Sequence, residues 1–196
     1  LFAEGGETGN TNLWSQTKST HYFNKVEVSA AAKLGPLASK NGIRVSLVNP
    51  SFQFPASSVY VRVGPEAGFH DERTLKGSFF VDPQSLTMSP GAGIFQMMAF
   101  ADVQANTGGK ARLAFDLTRD ATTWFIVANY FNEVTGFLQF AGSGVLATAG
   151  DVNGRNTRID FEWTAGAPGH LAMWRTRFVN GAPDANGKQQ LFSVDL

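Results

Sequence analysis

The chain of 196 residues contains no cysteine, which excludes disulfide bonds, thiolate nucleophiles and cysteine metal sites. No apolar run approaches the roughly 20 residues that a membrane-spanning helix needs, so we expect no membrane insertion. Sixteen basic residues balance sixteen acidic ones without a basic run, so nucleic acid is not an expected partner. No segment has a convincing helical period. Only four methionines stand beside 17 phenylalanines and 21 glycines, a composition that favours strands and turns.

The stretch from Asn156 to Gly181 predicts a hairpin of two long strands. Its first strand alternates strictly between Thr157 and Thr164, as a half-buried strand does. One face carries Ile159, Phe161 and Trp163, and the other carries Arg158, Asp160 and Glu162.

The turn of this hairpin is the glycine- and proline-containing segment 165–169. Beyond it, Leu171 and Met173 continue the buried face. If Trp163 pairs with Leu171, Asp160 lies opposite Trp174 on the other face; a slip of one residue would exchange the faces.

Many short strand candidates separated by Gly, Pro and Asn turn signals predict an all-β, two-sheet antiparallel sandwich. We expect one domain over residues 1–196, with residues 1–20 as an irregular N-terminal arm. Besides the hairpin, the predicted strands are His21–Ala30, Gly42–Val48, Ser57–Gly64, Thr74–Val81, Ile94–Asp102, Lys110–Thr118, Thr123–Asn132, Gly136–Ala141 and Gln189–Leu196.

Four phrases, in this order, resemble the bacterial LamG-like jelly rolls of the concanavalin A-like lectin and glucanase superfamily. The phrases are GETGN at 6–10 followed by Trp14, GSFFVDPQSLTM at 77–88, RIDFEW at 158–163, and LAMW at 171–174 with FVNG at 178–181. The chain departs from the family pattern in lacking an aromatic residue before Glu7 and in having Asn180 where the family has Asp. The resemblance implies a jelly-roll β-sandwich, often secreted, that binds glycans or proteins and in some members holds Ca²⁺ on its rim.

The related glucanases need two carboxylates about 5 Å apart on one strand to cleave a glycosidic bond. Asp160 and Glu162 match that strand, but Arg158 stands where the nucleophile would be, which argues against a hydrolase. Lyases of this architecture use a His, Tyr and Arg constellation. None of the three histidines lies in a phrase typical of those lyases or at zinc-ligand spacing, and no Gly-x-Ser-x-Gly elbow is present.

Aromatic side chains beside hydrogen-bonding groups are the candidate sugar site. Trp174 with Asp160, Arg158 and Glu162 is the first candidate. Trp124 and Tyr130 are the second, although the strand that carries them is apolar on both faces, which favours a core position for Trp124.

Two short sequence motifs resemble the start of a calcium-binding loop. Asp151 and Asn153 are the candidate Ca²⁺ ligands, but the ligands that a complete loop needs further along are missing. Asp184-Ala185-Asn186-Gly187 is the second motif. The pattern favours Asx-type turns for both, and a rim Ca²⁺ assembled from separate loops is left open.

We therefore expect a non-catalytic, carbohydrate-binding module of an exported, extracellular bacterial protein. The alternatives are an enzyme acting on polysaccharide, a lyase before a hydrolase, and a structural or adhesive module with a protein partner.

Overall fold

The computed structural model describes residues 16–19, 25–32, 34, 40–46, 59–62, 73–85, 90–91, 94–101, 111–132, 134–151, 156–166 and 168–196. The chain divides into two compact units, Leu1–Asp71 and Glu72–Leu196. Within the described ranges no helix is long and apolar enough to cross a membrane. The expectation of one domain over residues 1–196 stays a prediction.

The described residues of the first unit form two antiparallel strand pairs. Strand β1 (Gln16–Ser19) pairs with β4 (Val59–Arg62), and β2 (Lys25–Ser29) pairs with β3 (Gly42–Ser46). A short 3-10 turn at Ala30–Ala32 follows β2. Of the predicted N-terminal arm, residues 16–19 form β1, and residues 1–15 lie outside the described residues.

In the second unit, the residues that the structure describes form eight strands in two four-stranded antiparallel sheets. The first sheet has the order β12-β11-β10-β5, and the second sheet has the order β6-β7-β8-β9. The strands are β5 (Thr74–Val81), β6 (Phe95–Ala101), β7 (Ala111–Arg119), β8 (Thr123–Asn132), β9 (Phe137–Thr148), β10 (Thr157–Thr164), β11 (His170–Val179) and β12 (Ala182–Asp195).

The two sheets of this unit pack their apolar faces against each other, which confirms the predicted all-β sandwich. Phe115 of the second sheet and Phe161 of the first lie at the centre, with ring centroids 4.8 Å apart. Leu113 and Ile126 on one side, and Ile159 on the other, are fully buried around them. Removing these apolar side chains from water is the main force that holds the sheets together.

The predicted hairpin is confirmed in its bounds and in its register. β10 spans Thr157–Thr164, and Trp163 pairs with Leu171, which sets Asp160 opposite Trp174. Beyond Trp174 the chain turns again at Asn180 and Gly181, which have positive φ angles of 51° and 80°. Two such residues form the tight turn that matches the twist of two neighbouring strands.

Strand β9 is longer than the sequence pattern predicts. The prediction ended it at Ala141 because Gly142-Ser143-Gly144 has the composition of a turn, but the strand continues to Thr148. The glycines are strand residues because β12 packs directly over them. A Cβ on Gly142 would lie 2.7 Å from the Phe192 ring, and one on Gly144 would lie 2.6 Å from Leu191 Cβ.

Strand β12 also begins earlier than predicted, at Ala182 instead of Gln189. The predicted turn at Asn186-Gly187 is a bulge within this strand, since the pairing with β11 shifts register between Thr176 and Phe178. The Asx turn predicted at Asp184 is confirmed, because its Oδ1 accepts a hydrogen bond from the Asn186 N–H at 3.0 Å.

One end of the sandwich interior is polar. Arg175 pairs with Ile159 and so shares the inward face of the first sheet. Its guanidinium donates to the Val145 and Leu146 carbonyls of β9 and to Gln189 Oε1 of β12. Burial, and then the neighbouring Arg177, lower the pKa of Arg175. These hydrogen bonds link both edge strands to β11.

Candidate functional site

Four of the predicted ligand-binding residues lie together on the outer face of the first sheet. We call Arg158, Asp160, Glu162 and Trp174 the Trp174 patch. The face is set by β10, whose alternate residues Ile159 and Phe161 are buried at 0% and 3% exposure. The pairing of Asp160 with Trp174 then places the indole next to the carboxylate on the other side of the sheet.

Charged pairs hold the polar side chains of the patch in place. Arg158 Nε lies 3.2 Å from Asp160 Oδ1, and Glu162 pairs with Lys76 at 3.1 Å. The Arg158 guanidinium also stands 5.8 Å from the Phe178 ring centroid. The Lys76–Glu162 pair is exposed and contributes little to stability, so its side chains can exchange partners with a ligand at small cost. The Asp160 side chain is only 18% exposed.

Strand β12 adds two residues to the patch that the sequence analysis missed. Gln190 pairs with Trp174 on the side away from Asp160. Lys188 Nζ lies 4.5 Å from the Trp174 ring centroid and 3.7 Å from Asp160 Oδ2. The sequence signal was obscured because a register shift between Met173 and Trp174 breaks the simple alternation from β11 to β12.

Trp124 and Tyr130, the second predicted site, do not join the patch. Both lie on β8 in the other sheet. Trp124 is 3% exposed and belongs to the hydrophobic core, so its ring offers no open face for stacking. The half-buried Tyr130 donates its hydroxyl hydrogen bond to Gln139 Oε1 at 3.2 Å.

The candidate calcium ligands are described only in part. Asp151 forms an ion pair with Arg177 at 3.0 Å, and its backbone carbonyl accepts a hydrogen bond from Gln84 Nε2. Asn153 lies outside the described residues. In the portion of the chain with described placement, no group of three or more His, Asp or Glu side chains could hold a metal ion. A Ca²⁺ site at Asp151 and Asn153 stays a prediction.

A buried carboxylate lies on the second sheet, away from the patch. Asp116 is 6% exposed, and its Oδ2 accepts a hydrogen bond from Asn129 Nδ2 at 2.7 Å. Its Oδ1 is buried without a hydrogen-bond partner. Burial raises the pKa of Asp116, and hydrogen bonds from Asn129 and Gln96 only partly oppose this rise.

At the other end of the first sheet's outer face, three polar side chains form a hydrogen-bonded chain. His170 Nδ1 lies 2.9 Å from Asp195 Oδ1, and His170 Nε2 lies 3.2 Å from Ser193 Oγ. The sequence analysis found no such arrangement, because the three residues come together only through the pairing of β11 with β12.

Comparison of the chain with protein-family models, with curated proteins and with solved structures finds no match.

Proposed function

We propose that the protein is a carbohydrate-binding module and that the Trp174 patch is its binding site. The observation that carries this proposal is the row Asp160, Trp174, Gln190, which crosses three neighbouring strands on one face of the sheet. An indole presents an apolar face to the C–H groups of a sugar ring. A carboxylate and an amide on either side of it supply acceptors and a donor for the ring hydroxyls.

Lys188 gives the indole a defined position in this site. Its ammonium is attracted to the ring face, and its side chain is about half exposed, so it can move aside or bind a sugar hydroxyl. Arg158 and Asp160 already hold each other, which lowers the entropy lost when a ligand binds to them.

The finer fold class belongs to the same proposal: a LamG-like jelly roll from an exported bacterial protein. In its support, β5 pairs with β10 across a long connection that contains all four strands of the second sheet. Connections of this kind are typical of Greek-key sandwiches. An experimental structure of the whole chain would test the strand order.

The binding proposal is tested on a glycan and polysaccharide array with wild type, Trp174→Ala and the matched control Phe140→Ala. Phe140 is an exposed aromatic residue, 64% accessible, on the second sheet. We expect Trp174→Ala to weaken binding by about tenfold or more, as truncation of a central aromatic does. Phe140→Ala should bind like wild type.

Two results would reject the Trp174 patch as a sugar site. One is an array on which wild type binds nothing. The other is binding that Trp174→Ala leaves intact. An arm with EDTA tests separately whether a rim Ca²⁺ contributes, and melting curves of each variant exclude loss of fold as the cause.

A second candidate function, self-association through β9, is favoured by the apolar side chains exposed on that strand. β9 is an edge strand of its sheet, and Phe137, Leu138 and Phe140 on it are 73%, 43% and 64% exposed. Exposed apolar edge strands pair with other strands unless they are protected. Sedimentation velocity of wild type and Phe140→Ser tests it; a wild-type monomer at high concentration rejects it.

A further inference from the structure

Ser193, His170 and Asp195 lie side by side where β11 and β12 pair. His170 pairs directly with Asp195, and Ser193 pairs with Ala172, two residues further along β11. Because side chains two residues apart share one face of a strand, the imidazole lies within reach of both its carboxylate and its hydroxyl neighbour. The contacts are 2.9 Å to Asp195 and 3.2 Å to Ser193.

The chemistry of the carboxylate fixes the direction of the hydrogen bonds. Ionised Asp195 can only accept, so His170 Nδ1 must carry the proton of that bond. In the neutral imidazole, Nε2 then holds a lone pair and accepts the hydrogen bond of the Ser193 hydroxyl. With Nδ1 donating to a carboxylate and Nε2 accepting from a serine hydroxyl, an imidazole is placed to act as general base toward a serine nucleophile.

All three groups are accessible to a reactant. The side chains of His170 and Asp195 are 46% and 83% exposed, and Ser193 is also exposed. They lie on the same outer face as Trp174, since Trp174 is four positions after His170 on β11.

We propose that Ser193, His170 and Asp195 form an acyl-transfer site that takes carboxylic esters. Ser193 Oγ forms a bond to the ester carbonyl carbon while its proton passes to His170 Nε2. The bond from that carbon to the alcohol oxygen breaks, and the alcohol leaves with the proton from His170. Water then cleaves the acyl-serine in the same way, releasing the carboxylic acid and restoring Ser193. Asp195 is a positioning residue that holds the imidazole in the required tautomer.

The surroundings of Ser193 set the range of esters. Among the side chains that the structure describes, His170 is the one that hydrogen-bonds the serine hydroxyl. The three side chains are exposed to water, which weakens electrostatic stabilisation of the developing oxyanion, so the reaction depends on a good leaving group. The expected substrates are therefore activated esters, with aryl esters reacting faster than alkyl esters, and amides are not expected to react.

The test uses a fluorophosphonate probe and p-nitrophenyl acetate with the full chain. The probe reports nucleophilicity directly: Ser193 Oγ forms a bond to phosphorus, fluoride leaves, and mass spectrometry locates the adduct. We expect labelling at Ser193 that Ser193→Ala abolishes. Ser78→Ala is the matched control because Ser78 is an exposed serine on the same face, opposite Asp160. Labelling and hydrolysis in this variant should equal those of wild type.

The pH dependence of the labelling rate shows whether Asp195 positions the imidazole or has only a structural role. In wild type, the labelling rate should rise with pH, because a general base accepts the serine proton only in its unprotonated form. Asp195→Asn should lower the rate by about tenfold or more and flatten that rise, because the imidazole is no longer held with its proton on Nδ1. Melting curves show whether the variant is folded.

Three outcomes would overturn the proposal: no adduct at Ser193, equal labelling of Ser193 and Ser78, or an Asp195→Asn variant with the wild-type profile. The site stands independently of sugar binding, because Trp174→Ala should retain labelling at Ser193 whether or not any glycan binds.

Discussion

The ring of Phe161 lies so close over Gly77 on the neighbouring strand that a Cβ at position 77 would fall 2.6 Å from Phe161 Cζ. The two residues are paired in the register of β10 with β5. Phe161 in turn contacts Phe115 of the opposite sheet, so it has little room to retreat. The absence of a side chain at position 77 therefore allows the Phe161 ring to lie directly over the Gly77 backbone.

We predict that Gly77→Ala destabilises the protein by about 1–3 kcal/mol, because the added methyl overpacks the core. Urea denaturation measures the change. The double variant Gly77→Ala with Phe161→Leu should lose less stability than the sum of the single variants, since the smaller side chain removes the clash. Additive effects would contradict this packing argument.

Asp160→Ala should weaken glycan binding, because the carboxylate lies opposite Trp174, where it can accept from a sugar hydroxyl. We expect a small fall in melting temperature as well, since the Asp160 side chain is only 18% exposed and pairs with Arg158 and Lys188. Isothermal titration with a glycan identified on the array measures the loss. If Glu162→Ala weakens binding more than Asp160→Ala does, the ligand lies closer to the turn than we propose.

Asp116→Asn should stabilise the protein at neutral pH. A raised pKa means that the folded state holds the Asp116 proton more tightly than the unfolded state does. The carboxyl therefore costs stability as pH rises from its usual pKa of 3.8 through the raised value of the folded state, and that cost is fully present above this window.

Melting curves between pH 3 and pH 8 measure the difference between Asp116→Asn and wild type. We expect the advantage of the variant to shrink as the pH falls through the window and Asp116 takes up its proton. Glu162→Gln, on an exposed carboxylate, serves as the control. A difference that is independent of pH would show that burial of the charge is not its cause.

Arg175→Met should destabilise the sandwich by about 1–3 kcal/mol, because it removes the guanidinium donor of the Val145 carbonyl and of Gln189 Oε1. The Leu146 carbonyl keeps a donor in Arg177. Met keeps most of the apolar stem, so the loss reports hydrogen bonds and not packing. Arg175→Lys should fall between the two, since one ammonium cannot reach both strands in the fixed fork that a guanidinium provides. Urea denaturation ranks the three proteins. If Arg175→Lys were as stable as wild type, the fork geometry would be unimportant.

Calcium at Asp151 has to compete with Arg177, which lies 3.0 Å from the carboxylate. We therefore expect any rise in melting temperature to need millimolar Ca²⁺, the weak end of the range for protein calcium sites. The titration is run with wild type and Asp151→Asn. A rise at micromolar Ca²⁺ that Asp151→Asn abolishes would show a tighter site than this ion pair allows.

The parts of the fold that were predicted correctly depend on local sequence patterns. The alternation in Thr157–Thr164 fixes the faces of β10, and that hairpin sets Asp160 opposite Trp174, so four patch residues could be found without tertiary information. Strands β9 and β12 were predicted too short because each contains glycines that look like turns in isolation. In β9 the packing of Phe192 and Leu191 holds the glycines in the strand. In β12, Gly187 lies in the bulge that follows from the register shift between Thr176 and Phe178.

The rest of the candidate site depends on the pairing of β11 with β12. Along β12, Lys188 and Gln190 follow the register shift between Thr176 and Phe178, and Ser193 follows the second shift, beside Trp174. No local pattern encodes such a shift, because the extra residue is accommodated by contacts with other strands.

The pairing of β5 with β10 has a consequence for the order in which the chain acquires its structure during synthesis. The strands of the second sheet follow one another as neighbours, so they can pair as soon as each leaves the ribosome. β5 emerges before all of them, yet its hydrogen-bonding partner is translated only after the whole second sheet. During that interval Leu75 and Phe79, which later pack on the core, are exposed to solvent. We expect chaperones to bind this apolar strand until β10 is translated.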